Sequence, residues 1–196
     1  MPETPNAGPE PSGSGHADEF LAFLGGVLQP WVKGEVFPGV THERDALYGH
    51  SLGGLFVVYA FVHEPDWFDT FIAASPAVLW NNASVLEDIT QKFGDGLSGG
   101  SEQQQGGNET KPALFIGYGG AEQFPARRRK ETEEHFQARK ALYEWNHMTE
   151  GSHALYDRVV PGSGVREVVL REYAGQDHPG VAGTVLTEGI EYFFDW

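Results

Sequence analysis

The chain contains no cysteine, no uninterrupted apolar run long enough to cross a bilayer, and few basic residues. Each shortage excludes something. Without thiols there is no cysteine nucleophile, no thiolate zinc site and no disulfide. A membrane-spanning helix needs about 20 consecutive, mostly apolar residues, and none is found. Thirteen Lys and Arg stand against 28 Asp and Glu, for a net charge of −15. A field of that sign repels phosphate backbones and anionic lipid, so neither nucleic acid nor membrane is expected as a partner. No two of the eight histidines stand at helical ligand spacing beside a carboxylate, so no metal and no cofactor are expected. The opening residues lack the basic start and apolar stretch of a secretory signal, and a cytoplasmic location is expected.

What is present can fold. Hydrophobic residues make up 40% of 196 residues, with thirteen Phe and five Trp, enough for one domain with a sizeable core. Residues 1–15 (MPETPNAGPEPSGSG) carry too little apolar surface to bury and are expected to be a disordered lead-in to a single domain over 16–196. Phe20, Leu24, Val27, Leu28 and Trp31 recur at helical spacing, with Asp18 and Glu19 at the positive end of the dipole. Gly25 and Gly26 weaken that helix, and Pro30 is expected to kink or end it.

Residues 44–50 (RDALYGH) read as a strand. Residues 55–62 (LFVVYAFV) read as a buried helix that Glu64-Pro65-Asp66 breaks. Residues 68–74 (FDTFIAA) read as a second buried strand. A short amphipathic helix follows over 84–93, with Ser84 and Glu87 as a capping box. Residues 94–110 are low in complexity and expected to be a flexible insertion. A third strand over 112–118, a long helix over 127–148, a polar excursion over 149–164, a strand with one wet face over 165–173 and a closing helix over 181–194 complete the chain. Strands alternating with helices place it in the α/β class, as a parallel sheet with helices on both faces.

Gly49-His50-Ser51-Leu52-Gly53 fits G-x-S-x-G between a strand and a helix, where a nucleophile elbow belongs. Glycines two positions to either side relieve crowding in so tight a turn. The following helix aims its N-terminus at developing negative charge, and the backbone N–H of Leu52 would be an oxyanion donor. A serine hydroxyl needs a base. His178 lies in the loop between the last strand and the final helix, where this fold places it. The third strand ends at Gly119-Gly120-Ala121-Glu122, which makes Glu122 the candidate acid to orient the imidazole. Asp177 is the competitor, although an immediate neighbour cannot easily reach the far ring nitrogen. His50 flanks the serine and is expected to point away from its hydroxyl.

On these motifs the chain resembles the esterase D/enterochelin-esterase group of α/β hydrolases, and within it siderophore esterases of the IroE type. The residues that carry the resemblance are G49-H-S-L-G-G-L-F-V-V-Y-A-F, P65-D-W-F-D-T-F-I-A-A-S-P-A-V-L-W80, G119-G-A-E-Q123 and G175-Q-D-H178. It implies an α/β-hydrolase-type fold, a Ser51–His178–Glu122 centre cleaving carboxylic esters through an acyl-enzyme, or a Ser51–His178 pair alone. It also implies a substrate side lined by His50 and Trp80, and a siderophore ester, hydroxamate or catecholate, as the small-molecule partner. A short-acyl ester or thioester is the alternative substrate. This fold normally has several strands before the nucleophile strand, and here one helix precedes it. An N-terminally truncated form is therefore expected, either an esterase or a non-catalytic remnant of one.

Overall fold

The computed structural model describes residues 15–93, 111–159 and 164–195. The expected lead-in up to residue 14 and the expected insertion over 94–110 lie outside the described residues.

Four parallel strands form one sheet in sequence order: β1 (Ala46–His50), β2 (Thr70–Ala74), β3 (Ala113–Gly119) and β4 (Glu167–Tyr173). Strand side chains alternate between faces, and the register turns that alternation into two rows. Leu47, Phe71, Leu114 and Val168 pair across the sheet and belong to the larger core. Tyr48, Ile72, Phe115 and Val169 pair one residue along and belong to the smaller core on the opposite face. Strands covered on both sides must be apolar throughout, which is why β2 reads TFIAA and β3 reads ALFIGYG, all buried.

Helix α1 (Ala17–Phe23) begins the described chain, and α2 (Gln29–Trp31) continues it between wide-turn segments Leu24–Leu28 and Val32–Val36. Helical backbone therefore runs past Pro30 and does not end there. Proline lacks an N–H to bond, and it sits in the first turn of α2, directly after a wide-turn segment. Gly25 is there for room: a Cβ would stand 2.2 Å from the Trp67 ring. Helix α3 (Leu52–His63) buries Val57, Val58, Ala60, Phe61 and Val62 against β1 and β2. The span α4 (Trp80–Phe93) is broken near its start by three left-handed residues, Asn81, Asn82 and Ala83, and its regular helix follows them over 84–93, the stretch the sequence reading makes a helix.

The stretch after β3 differs most from the sequence reading. Residues 127–132 form a loop, not the start of a helix. Helix α5 (Glu133–Asn146) begins where the Thr132 side chain accepts from the His135 N–H, and it stops at left-handed His147. The expected polar excursion is largely helix α6 (Met148–Val159), which buries Met148, Leu155 and Val159 beneath α4 and over β3 and β4. Helix α7 (His178–Phe194) begins three residues earlier than expected and lies alone among the described helices on the second face, with Val181 and Val185 against Ile72 and Phe115. β1 pairs with β2 alone, so its outer edge carries no strand among the described residues.

The turn from β1 into α3 is crowded at Gly49 and Gly54 but not at Gly53. A Cβ on Gly49 would lie 2.1 Å from the Gly53 carbonyl oxygen, and one on Gly54 would lie 2.8 Å from the Ala74 oxygen. A Cβ on Gly53 meets nothing within 4 Å, so the position that must be small after the serine is Gly54. Ala in place of Gly53 should hold or raise stability by up to about 1 kcal/mol, the helix propensity gain. Ala in place of Gly54 should lower stability by more than about 1 kcal/mol, because backbone and not a movable side chain blocks it. Leu155→Ala should cost about 2–5 kcal/mol, as for a buried leucine in any packed core. Urea midpoints of the three variants check all three statements, and a near-neutral Leu155→Ala would contradict the packing of α6.

Candidate active site

Ser51 stands between β1 and α3 at φ 60° and ψ −117°, a backbone that only surrounding structure can hold for a residue with a Cβ. Its N–H donates to the Ala74 carbonyl, and its own carbonyl accepts from Leu55 and Ala77. The elbow is thereby stitched to the end of β2. Leu52 opens α3, where backbone N–H groups have no intrahelical acceptor. The α3 N-terminus thus follows directly on the serine, and a helix N-terminus favours negative charge.

His178 is the first residue of α7, not a loop residue as expected. Asp177 caps the helix, accepting from the Gly180 N–H at 3.1 Å, and its other oxygen pairs with Arg128. Asp177 is thus occupied with the helix end and the loop before α5. The imidazole spans two partners. Nε2 lies 3.0 Å from Ser51 Oγ, and Nδ1 lies 2.5 Å from Glu122 Oε2. These three side chains lie 71 and 56 residues apart along the chain (51 to 122, 122 to 178), and the parallel order of the strands brings them to one end of the sheet.

Glu122 is 1% exposed. A buried carboxyl group is costly unless its oxygens are bonded, and here they are. Oε1 accepts from Ser75 Oγ and from the Gly119 N–H, each at 2.5 Å, while Oε2 faces the histidine. The loop bearing Glu122 is bonded in turn to the loop bearing His178: Gly120 N–H to Tyr173, and Ala121 N–H to Gln176. Acid and imidazole therefore belong to one hydrogen-bonded unit. Ser75 was not singled out in the sequence. It is fully buried at φ 42°, left-handed like Ser51, directly after β2. Its signal was a Ser-Pro pair closing an apolar strand, which by itself says only that a turn follows.

His50 stands beside the His178 ring. Its ring lies 4.4 Å from that of His178, tilted by 40°. Burial lowers its protonation below the ordinary imidazole value, and the neighbouring His178 adds to the effect. Its Nε2 is buried and has no hydrogen-bond partner among the described residues. Trp80 is half-buried at the start of α4, in the connection that leaves the same strand end as Ser75. Among the described residues there is no cluster of three or more His, Asp or Glu able to hold a metal ion.

The sequence profile of the Esterase family matches residues 5–167. The chain is 36% identical over 191 residues to the siderophore enterobactin esterase of Emericella nidulans, covering 97% of this chain and 60% of that protein. It is 32% identical over 194 residues to the siderophore triacetylfusarinine C esterase of Aspergillus fumigatus, covering 98% and 63%. Siderophore hydrolase EstB from Aspergillus nidulans superposes with a TM-score of 0.82 at 34% identity, over 97% of this chain and 61% of that structure. The chain spans about three-fifths of the length of the curated relatives it matches. With a matching profile over most of its length and a shared arrangement of parallel strands between helices, this chain belongs to the Esterase family and has an α/β-hydrolase-type fold.

Proposed function

We propose that the chain carries the reacting centre of a serine carboxylic-ester hydrolase that opens siderophore esters in the cytoplasm. The observation that supports it most is the continuous contact from Ser51 Oγ through the His178 ring to buried Glu122. Relatives named as siderophore esterases support the substrate class, and the cysteine-free composition is compatible with the compartment. No helix of the described residues is long and apolar enough to cross a membrane.

Ser51 Oγ attacks the ester carbonyl carbon while His178 Nε2 takes its proton. The carbonyl oxygen becomes an oxyanion that the Leu52 N–H and the α3 dipole stabilise. The C–O bond to the alcohol then breaks, and the alcohol departs with the proton from Nε2. Water repeats the sequence on the acyl-serine, its proton passing to Nε2, its oxygen bonding to the acyl carbon, and the carboxylic acid leaving as Ser51 regains its hydrogen. Glu122 holds Nδ1–H, fixing the tautomer and offsetting the cation that forms. Ser75 and the Gly119 N–H hold Glu122. Asp177 serves the start of α7. His50 packs against the base and, kept neutral, places no second cation beside it.

Two sets of variants test this. Ser51→Ala should abolish both nitrophenyl acetate hydrolysis and labelling by a fluorophosphonate, and parent-like hydrolysis in that variant would refute the nucleophile. Glu122→Gln should lower kcat by about 10⁴-fold, the loss seen when an orienting acid becomes its amide, while an unchanged kcat would leave Ser51 and His178 as a pair. The stability of the chain should respond to His50. Its protonation is suppressed in the fold and not in the unfolded chain, so stability falls as pH drops below 6.5, the ordinary value. His50→Phe should flatten that part of the profile, measured as urea midpoints on either side of pH 6.5.

A further inference from the structure

The His178 imidazole has two hydrogen-bond partners, and one of them is lost during ester cleavage. Nδ1 lies against buried Glu122, which Ser75 and the Gly119 N–H hold in place. Nε2 lies against Ser51 Oγ. Once the serine oxygen carries the acyl group it has no hydrogen to donate, and its bond to Nε2 ends. The imidazole is then fastened through Nδ1 alone. A single hydrogen bond is a pivot, and hydrogen bonds weaken steeply when bent. Yet at this stage Nε2 must take a proton from water while the water oxygen bonds to the acyl carbon. Nε2 then returns that proton to the Ser51 oxygen as the C–O bond of the acyl-enzyme breaks. Aiming the ring through these steps requires a contact that the chemistry leaves intact.

His50 offers such a contact. Its ring centroid is 4.4 Å from that of His178, with the planes tilted by 40°, close enough for the rings to touch. The alternation of β1 puts it there. His50 pairs with Ala74, and Tyr48 pairs with Ile72, so both side chains lie on the face that α7 covers. Tyr48 Oη donates to the Ala182 carbonyl at 2.8 Å. Two residues along a strand advance about 7 Å and four along a helix about 6 Å. Tyr48 and His50 therefore meet α7 one turn apart, at Ala182 and at His178. Ser51 follows His50 directly, so one strand carries the candidate nucleophile and both contacts to the helix of the base. Burial and the neighbouring His178 disfavour the His50 cation, against the opposing pull of the His178 backbone and Glu122, and the neutral ring prevails. A neutral ring can back an imidazolium without repelling it.

We propose that His50 is a positioning residue whose ring backs the His178 imidazole and keeps Nε2 directed at the reacting centre while the serine oxygen is esterified. The proposal rests on the ester-cleaving reading above and assigns His50 a part in its second half. His50 acts through His178 and moves no proton itself. Its Nε2 is buried with no partner among the described residues, so the surface of the ring is what serves. A carbocyclic ring should therefore replace it and a smaller side chain should not. Exchanging a buried, unpartnered nitrogen for carbon leaves no group newly unsatisfied.

Stopped-flow hydrolysis of nitrophenyl acetate by the whole chain separates the two halves. The first release of nitrophenolate reports acylation, and the steady rate reports deacylation. In His50→Ala and His50→Asn, kcat should fall between about ten- and a hundredfold, as for a slightly misplaced base. By contrast, kcat/KM in these variants and kcat in His50→Phe should stay within about threefold of the parent. KM then falls with kcat, and acyl-enzyme accumulates. Urea midpoints establish that each variant is folded, and if His50→Phe does not fold the His50→Asn result decides. Parent-like kcat in His50→Ala or His50→Asn, equal losses in kcat and kcat/KM, or a folded His50→Phe as slow as His50→Ala would each overturn the proposal. Proton NMR reads the same contact without catalysis. The downfield Nδ1 proton that His178 shares with Glu122 should be sharp in the parent and broadened by exchange with water in His50→Ala. An equally sharp proton in both, or none in the parent, overturns the proposal. Where the proton behaves as expected but the parent neither hydrolyses the ester nor reacts with a fluorophosphonate at Ser51, the ring contact stands and the esterase reading is refuted.

Discussion

The site depends on one buried carboxyl group. Glu122 is almost wholly removed from water, and an unsatisfied group there would cost several kcal/mol. Its oxygens are met by a hydroxyl from the end of β2, a backbone N–H from the end of β3 and an imidazole from the start of α7. Three elements distant in sequence are therefore held at one point by a group that none of them can abandon cheaply. Ser75 is kept in a left-handed backbone for the sake of this contact. The strain is of the kind that persists where surrounding structure over-determines it.

The same economy shapes the serine turn. Ser51 is held in its own left-handed conformation by backbone bonds to β2 and by the Gly49–Gly53 and Gly54–Ala74 approaches. Ser51 and Glu122 thus share a support, the end of β2, which bonds to Ser51 through Ala74 and to Glu122 through Ser75. Small errors in the placement of that strand end would misplace both. Tying both strained residues to the end of a fully buried strand protects against this, since such a strand has little freedom to move.

Charge is distributed unevenly. The chain as a whole carries a net charge of −15, while the residues after β3 gather cations around Glu131 and Asp177. The outer edge of β1 contrasts with this ordering. It is unpaired among the described residues, and apolar side chains remain open to solvent on α1 (Phe20, Phe23), α2 (Trp31) and α7 (Leu186, Ile190, Phe194). Exposed edges flanked by apolar surface favour association.

The sequence by itself determined the strands, their parallel arrangement, the serine turn and the identity of Ser51, His178 and Glu122 as candidates. Those follow from local rules: apolar runs of strand length, glycines around a tight turn, and residue types at the ends of strands. It misread the segment from residue 127 to 159. Four consecutive cations resemble a helix surface, and the stripe of Met148, Gly151, Ser152, Leu155 and Val159, though at helical spacing, is diluted by small and polar residues. Only the tertiary structure decided that Gly54, not Gly53, had to be small, since the atom it avoids belongs to another strand. It likewise decided that Ser75 holds Glu122, that Asp177 caps a helix, and that His50 lies against His178. Each of these depends on contacts between segments far apart in sequence, and such contacts leave no periodic trace in the chain that makes them.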